Sequence, residues 1–387
     1  IRGSNPLGAT KYLTKLDILY ILILRGIYFF NMSLERRLFF GRTPAEKPNN
    51  PELPTATESN IESNTAHIFP GQGSQFVGMG EVLYNQSSAV RKIYDITDKE
   101  SGIPISTISF KGPEEELNKT TVTQLAVLAH NEACRIFAKE QGQEGFQLKP
   151  KYLAGHSLGF YNALVAAEAL TYPQAVKAVK SRGEAMTHAH ASNPGRLIII
   201  RELDRSDSRY SKLRSFMRSF GLPISAYNAT DQIVIGMPDD PRIMEEFKGL
   251  CNSQRIKASP LKTAGMFHTK AMEPAVELFD PIISTLDMQD AKIPIIANRS
   301  GRPIQKREAL LREANMQLTQ PVRWSKGVSR MKRDGITQFV EIGNCRGILI
   351  NMDTEVTKEN VQQVKFSTER GGYSGILIWR RTPQLQT

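Results

Sequence analysis

Of the 387 residues, 40% are hydrophobic and 23% charged. That balance supports one large core or two smaller ones and excludes collagen, wholesale disorder and polytopic membrane classes. Nearly half of the net charge of +11 sits at the start, where residues 1–50 carry eight basic side chains against three acidic ones. The rest shows no zinc spacing, RNP-type aromatic motif or long Lys/Arg run, so nucleic acid is not an expected partner. The cysteines Cys134, Cys251 and Cys345 form no C-x-x-C pair, which fits buried thiols in a reducing compartment and argues against disulfides or a metal site.

Asp17–Phe30 is strongly apolar but is broken by Arg25. It is shorter than the roughly 20 residues a spanning helix needs, so no stable membrane insertion is expected. From Met32, Arg36, Arg37 and Arg42 interleave with Leu34, Leu38, Phe39 and Phe40, the pattern of an amphipathic transit peptide. Residues 43–64 are rich in Pro, Asn, Ser, Thr and Glu and read as a flexible lead-in. Residues 1–64 are therefore assigned as a leader, and the fold is expected to begin near Thr65.

Beyond it, short apolar runs alternate with helical patterns, which argues for an α/β fold. Ala66–Phe69 reads as a strand entering the loop Pro70-Gly71-Gln72-Gly73-Ser74-Gln75, and Thr123–Glu140 as a buried helix. Tyr152–Gly155 reads as a strand and Leu158–Leu170 as a helix. Residues 195–263 change rhythm. Strands at Arg196–Arg201, Ile224–Tyr227, Ile233–Met237 and Arg255–Leu261 and helices at Asp207–Phe220 and Pro241–Cys251 give the order β-α-β-β-α-β of a ferredoxin-like unit. It is read as a small domain inserted into a large one made of 65–194 and 264–365, to which Ile293–Ala297 and Gln338–Ile342 add strands. Residues 366–387 are left as a tail of unknown role.

Gly155-His156-Ser157-Leu158-Gly159 lies between a predicted strand and a predicted helix. A sharp turn there would lift the Ser157 hydroxyl over the sheet and leave backbone N–H groups for an oxyanion. Ser157 needs a base. His67 falls in a strand, His130 in a buried helix, and His188 and His190 at a helix end, whereas His268 follows the inserted domain in a loop that could return it over the sheet. No Asp or Glu stands out as a third member of a triad. Arg182 shares the apolar stripe of its helix with Ala175, Val179 and Met186. It reads either as half of a structural ion pair or as a fork for a substrate carboxylate.

Phe69 to Gln75, Gly155 to Gly159, Ser181-Arg182-Gly183-Glu184-Ala185-Met186, Tyr227-Asn228, Phe267-His268, and Gln317-Leu318 followed by Pro321-Val322-Arg323-Trp324 occur in the order found in the malonyl-CoA:acyl carrier protein transacylases. The chain resembles that family, in its mitochondrial form, over about 65–365. The resemblance implies a large α/β-hydrolase-like acyltransferase domain with an inserted ferredoxin-like (β-α-β-β-α-β) small domain. It implies transfer of malonyl from coenzyme A to the phosphopantetheine thiol of acyl carrier protein for fatty acid synthesis, without a resident cofactor, coenzyme A thioester being a substrate; a mitochondrial location and a monomeric state are expected.

Carried over residue by residue, the resemblance makes Ser157 the nucleophile, His268 the base and Gln317 the source of the carbonyl that orients it. Gln72 and Leu158 would supply the oxyanion hole, Arg182 would pair the malonyl carboxylate, and Phe267 matches the bulky residue of malonyl-selective members. Phe160 departs from the family, which usually has Glu there, and Asn344-Cys345 replaces a common Pro-Gly. Arg209, Lys212, Arg214 and Arg218 on the helix over Asp207–Phe220 are expected to form a basic rim that steers an acidic carrier protein. A serine hydrolase using the same Ser-His pair, and a weakly catalytic binding protein, are the alternatives.

Overall fold

The computed structural model describes residues 64–344, 347–352, 360–369 and 372–381. The leader, transit-peptide and lead-in assignments fall almost wholly on 1–63, outside the described residues, as does Cys345. No helix among the described residues is long and apolar enough to cross a membrane.

The strands are β1 (Thr65–Phe69), β2 (Tyr152–Gly155), β3 (Gly195–Arg201), β4 (Ile224–Tyr227), β5 (Ile233–Pro238), β6 (Lys257–Ala264), β7 (Ile295–Ile296), β8 (Pro303–Ile304), β9 (Gln338–Asn344), β10 (Val361–Glu369) and β11 (Gly372–Arg380). Among the described residues they form two sheets. The larger runs β10-β11-β9-β1-β2-β7-β8 and the smaller β4-β5-β3-β6. In the larger, β9, β1, β2 and β7 are parallel. Every residue of β1 and β2 is buried, as a strand covered by helices on both faces requires. Helices Thr120–Glu140 and Tyr172–Ser192 bury apolar faces in the same core.

The small sheet has the pairing order of the expected ferredoxin-like unit, and its neighbours are all antiparallel. Alternation of side chains gives it two different faces. Ile198, Ile200, Ile233, Ile235 and Met237 pack with Leu213 and Met217 of helix Ser208–Ser219 and with Ile243 and Phe247 of helix Pro241–Gln254. Leu197, Ile199 and Val234 turn the other way, into the main core. Among the backbone bonds between this unit and the large domain, Tyr227 N–H donates to the Val322 carbonyl (2.8 Å) and Val322 N–H to that of Ser225 (2.9 Å). The Tyr227-Asn228 and Pro321-Val322-Arg323-Trp324 motifs are thus the two sides of one junction.

The boundary drawn at 365 needs correction, because it cuts β10. β11 pairs antiparallel with β9 from Ser374↔Asn344 to Arg380↔Gln338. Ile376, Leu377 and Ile378 are buried, and Trp379 stacks on Phe339 with centroids 5.0 Å apart. The segment assigned as a tail supplies strands of the main sheet up to Arg380. Smaller shifts also have local causes. The second helix of the insertion continues to Gln254 and stops at Arg255, whose φ of 52° is left-handed, so β6 starts later than expected. The expected strand over 293–297 forms only at Ile295–Ile296.

Candidate active site

The turn from β2 into helix Gly159–Ala166 holds Ser157 at φ 53°, a left-handed conformation disfavoured for a residue with a Cβ and typical of strained functional turns. Both flanking glycines are sterically required. A Cβ on Gly155 would lie 1.9 Å from the carbonyl carbon of Gly159, and one on Gly159 would lie 2.1 Å from the Phe69 carbonyl oxygen. Asn298 fixes the turn from the other side, its Oδ1 accepting from Ser157 N–H (2.9 Å) while its Nδ2 donates to the Gly155 carbonyl (3.0 Å). The sequence reading missed Asn298. It follows β7, and nothing in its local sequence shows that β7 lies beside β2.

His268 also has a left-handed backbone, at φ 60°. Its Nδ1–H donates to the Gln317 carbonyl at 2.6 Å, leaving Nε2 to accept from the Ser157 hydroxyl at 2.7 Å. This dyad contains no carboxylate, in keeping with the lack of a third triad member in the sequence. Burial, and next the charge of Arg182, push the His268 pKa down to about 3, so the imidazole is neutral and able to accept a proton. Gln317 is buried where helix Arg307–Met316 ends. The other sequence candidates have separate surroundings: His67 bonds to the Gly145 carbonyl (2.8 Å) and His130 lies against Cys134. His156 bonds through Nε2 to Asn228 Oδ1 (3.0 Å).

Arg182 is 1% exposed. Its Nη1 donates to Gln124 Oε1 (2.6 Å), its Nη2 donates to Ser157 Oγ (2.9 Å), and its guanidinium lies over the Tyr161 ring at 5.7 Å. Among the described residues Nε has no acceptor and no carboxylate forms an ion pair with this group. Burial accordingly lowers its pKa. An interior guanidinium without an anion is costly, and this one points at the nucleophile. The geometry therefore removes the reading of Arg182 as half of a structural ion pair.

A cavity of about 420 Å³ opens over Ser157 and His268. Gln72 lines it, and Leu158 is buried at the head of the elbow helix. Among the described residues neither backbone N–H has an acceptor, so both remain available to an oxyanion. Phe267, Met186, Leu197, Ile199 and Val234 contribute apolar wall, and Ile348 and Leu349 close another side. Glu341 holds that last loop. Its Oε2 accepts from Leu349 N–H (2.9 Å) and Ile350 N–H (2.8 Å), and burial raises its pKa to about 7. Phe160 is buried edge-on to Tyr161 and is not among the residues lining the cavity. Asn344 Nδ2 donates to the Ser74 carbonyl (2.9 Å), bracing the glycine-rich loop.

The basic rim expected of helix Ser208–Ser219 is not there. The helix covers the face of the small sheet that carries Ile198 and Ile200, while Leu197, Ile199 and Arg201 face the cavity. Arg214 and Arg218 are exposed on the far side of the sheet.

Residues 66–365 match the acyl transferase domain family. A malonyl CoA-acyl carrier protein transacylase of Bacillus subtilis (strain 168) is 34% identical over 282 residues, covering 73% of this chain and 87% of that protein. The chain belongs to this acyltransferase family. Solved structures agree: the acyl-carrier-protein-S-malonyltransferase of Bartonella henselae aligns with a TM-score of 0.68 at 29% identity, over 74% of this chain and 90% of that one. A malonyl-transacylase in complex with a type II PKS acyl carrier protein aligns with a TM-score of 0.67 at 30% identity, over 75% and 94%. The described architecture is the α/β acyltransferase fold of these relatives, and the matched region stops inside β10, short of β11.

Proposed function

We propose that this acyltransferase moves malonyl from coenzyme A to the phosphopantetheine thiol of acyl carrier protein, for fatty acid synthesis, through an ester on Ser157. The observation that carries the substrate choice is Arg182, a buried guanidinium without a carboxylate partner among the described residues, 2.9 Å from the nucleophile. A malonyl thioester places its carboxylate one methylene from the reacting carbonyl, so a carboxylate on Arg182 brings that carbonyl to Ser157 Oγ.

In the first half-reaction Ser157 gives its proton to His268 Nε2 while Oγ attacks the thioester carbonyl. The oxyanion is met by the N–H groups of Leu158 and Gln72. Collapse breaks the C–S bond, and His268 returns the proton to the departing coenzyme A thiolate. The second half runs in reverse: His268 takes the proton of the carrier's thiol, whose sulfur attacks the seryl ester, and the proton returns to Ser157. Gln317 keeps the imidazole in the tautomer that presents a bare Nε2, and Phe267 narrows the acyl site beside the base. The chemistry needs no resident cofactor. The relative solved with its acyl carrier protein supports that partner class.

Arg182→Ala tests the substrate assignment, with malonyl transfer, acetyl transfer and hydrolysis measured side by side. Malonyl transfer is expected to fall by about 10²-fold or more, the scale of a lost charge-assisted pair in a dry site, while acetyl transfer holds or rises. An equal fall for both acyl groups would make Arg182 structural, and hydrolysis outpacing transfer in the parent would make the protein a hydrolase.

The reading also includes a mitochondrial location and a monomeric state. The location is supported by the arginines interleaved with apolar residues over 32–42, and is tested by whether residues 1–64 carry a reporter into mitochondria. The state is tested by sedimentation.

A further inference from the structure

Two side-chain amides lie between the elements that carry the proposed oxyanion donors. Asn131 of helix Thr120–Glu140 and Asn162 of the elbow helix Gly159–Ala166 are both fully buried, and neither lines the cavity over Ser157. Asn162 Nδ2 donates to the Leu128 carbonyl (3.0 Å), and Asn131 Nδ2 donates both to Asn162 Oδ1 (3.1 Å) and to the Pro70 carbonyl (2.9 Å). The partners fix both orientations. The Leu128 carbonyl can only accept, so Asn162 turns its oxygen to Asn131, whose amide nitrogen then has two hydrogens for two acceptors. A carboxamide in an apolar interior is costly unless it is bonded, and here the bonds reach both sides of the site. Leu158 heads the helix in which Asn162 lies one turn further on, and Gln72 lies two residues after Pro70. Where β1 and β2 end, His156 N–H donates to the Phe69 carbonyl (3.0 Å) and aligns the two backbones. Past that bond the glycine-rich loop leaves the sheet, and Pro70 carries its first carbonyl.

We propose that Asn131 and Asn162 are positioning residues for the oxyanion hole. The run of hydrogen bonds from the Leu128 carbonyl through Asn162 and Asn131 to Pro70 sets the separation between the N–H groups of Leu158 and Gln72. The inference rests on the mechanism proposed above, in which those two groups meet the oxyanion. Donors from two different elements stabilise a developing charge only if both stand at hydrogen-bonding distance from it at once. A misplacement of about 1 Å costs about 10²-fold in rate.

The test uses the full chain with Asn131→Leu, which fills the space but removes the donor, and separately with Asn162→Ala, which leaves the Pro70 bond but frees Asn131 to turn. Each is compared with the parent in the rate of Ser157 acylation at saturating malonyl-CoA, in inhibition by coenzyme A, and in inhibition by trifluoroacetonyl-CoA. With that ketone Ser157 Oγ adds to the carbonyl, the hydroxyl proton passes to His268 and the former carbonyl oxygen becomes an oxyanion, so its affinity reports the hole. Acylation is expected to slow by about 10- to 10²-fold in Asn131→Leu, below the loss of a whole donor, and by less in Asn162→Ala. Ketone affinity should fall by the same factor in each, while coenzyme A affinity stays at the parent value and shows that the site is folded. Ketone affinity at the parent value, whatever happens to stability or rate, would leave the amides a packing role alone and overturn the proposal, as would an equal fall for the ketone and coenzyme A. Should Asn131→Leu fail to fold, Asn162→Ala decides between the same outcomes. A parent that is acylated but binds the ketone no more tightly than coenzyme A also overturns the proposal. If the parent forms no ester on Ser157, it is the proposed function that fails.

Discussion

The two walls of the catalytic cavity are built differently. On the elbow side, position is set by backbone: Ser157 is held by two glycines that leave no room for a Cβ, by Asn298 bonding on both sides of it, and by His268 locked to a carbonyl. On the opposite side, Leu197, Ile199 and Val234 of the small sheet offer apolar surface, with Arg201, Ser225 and Thr263 as the polar residues that this sheet adds to the lining. Fixed geometry is needed where a proton moves and a charge develops, whereas shape alone suffices where an acyl chain or arm is accommodated. The elbow wall is accordingly expected to govern kcat, and the sheet wall KM.

His268→Ala is the strongest way to break this contrast. Transfer should fall by about 10²–10⁴-fold, the range for a lost general base, with the fold retained. The same residue sets a pH expectation. Because the free-enzyme pKa is pushed down to about 3, the base is neutral at every pH well above that value, so in Glu341→Gln, which removes the other group titrating near 7 at the cavity, kcat/KM for acylation should stay level as pH falls from 8 to about 5. A midpoint near the ordinary histidine value would show that the imidazole is not held neutral by burial and Arg182.

Asn298→Ala comes next. It removes the side chain that accepts from Ser157 N–H, so kcat should fall by about tenfold or more through misplacement of Oγ while KM changes little. A KM effect with normal kcat would place Asn298 on the binding side. The smallest effect is expected on the opposite wall. Ile199→Val deletes one methylene and should cost about 1 kcal/mol of stability, with a KM change below about tenfold and kcat unchanged. A kcat loss there equal to that of Asn298→Ala would erase the distinction between the walls, and thermal melts beside the kinetics separate stability from rate.

The same contrast explains what could be read from sequence. The elbow was legible because its constraints are local: Gly155 and Gly159 lie two residues on either side of Ser157, between a recognisable strand and helix. The β-α-β-β-α-β order was legible from periodicity, and the stripe of Arg182 from helical spacing. Asn298 was not legible, since its role depends on β7 lying beside β2. The position of helix Ser208–Ser219 was missed because charge on a helix says nothing of which sheet face the helix covers, and that is decided by Ile198 and Ile200 pointing away from Leu197 and Ile199. The closing hairpin was missed although Gly371-Gly372 between two β-rich runs is a turn signal. It lies beyond the stretch that resembles the family, where a strand has value only through its pairing with β9.

The most direct test of the account is mass spectrometry of the protein after brief incubation with malonyl-CoA, followed by peptide mapping of the parent and of Ser157→Ala. The expected result is one malonyl ester on the peptide that contains Ser157, discharged by added pantetheine thiol and absent from the variant. A malonyl adduct that persists in Ser157→Ala, or one that maps to another residue, would contradict the assignment of Ser157 as the nucleophile.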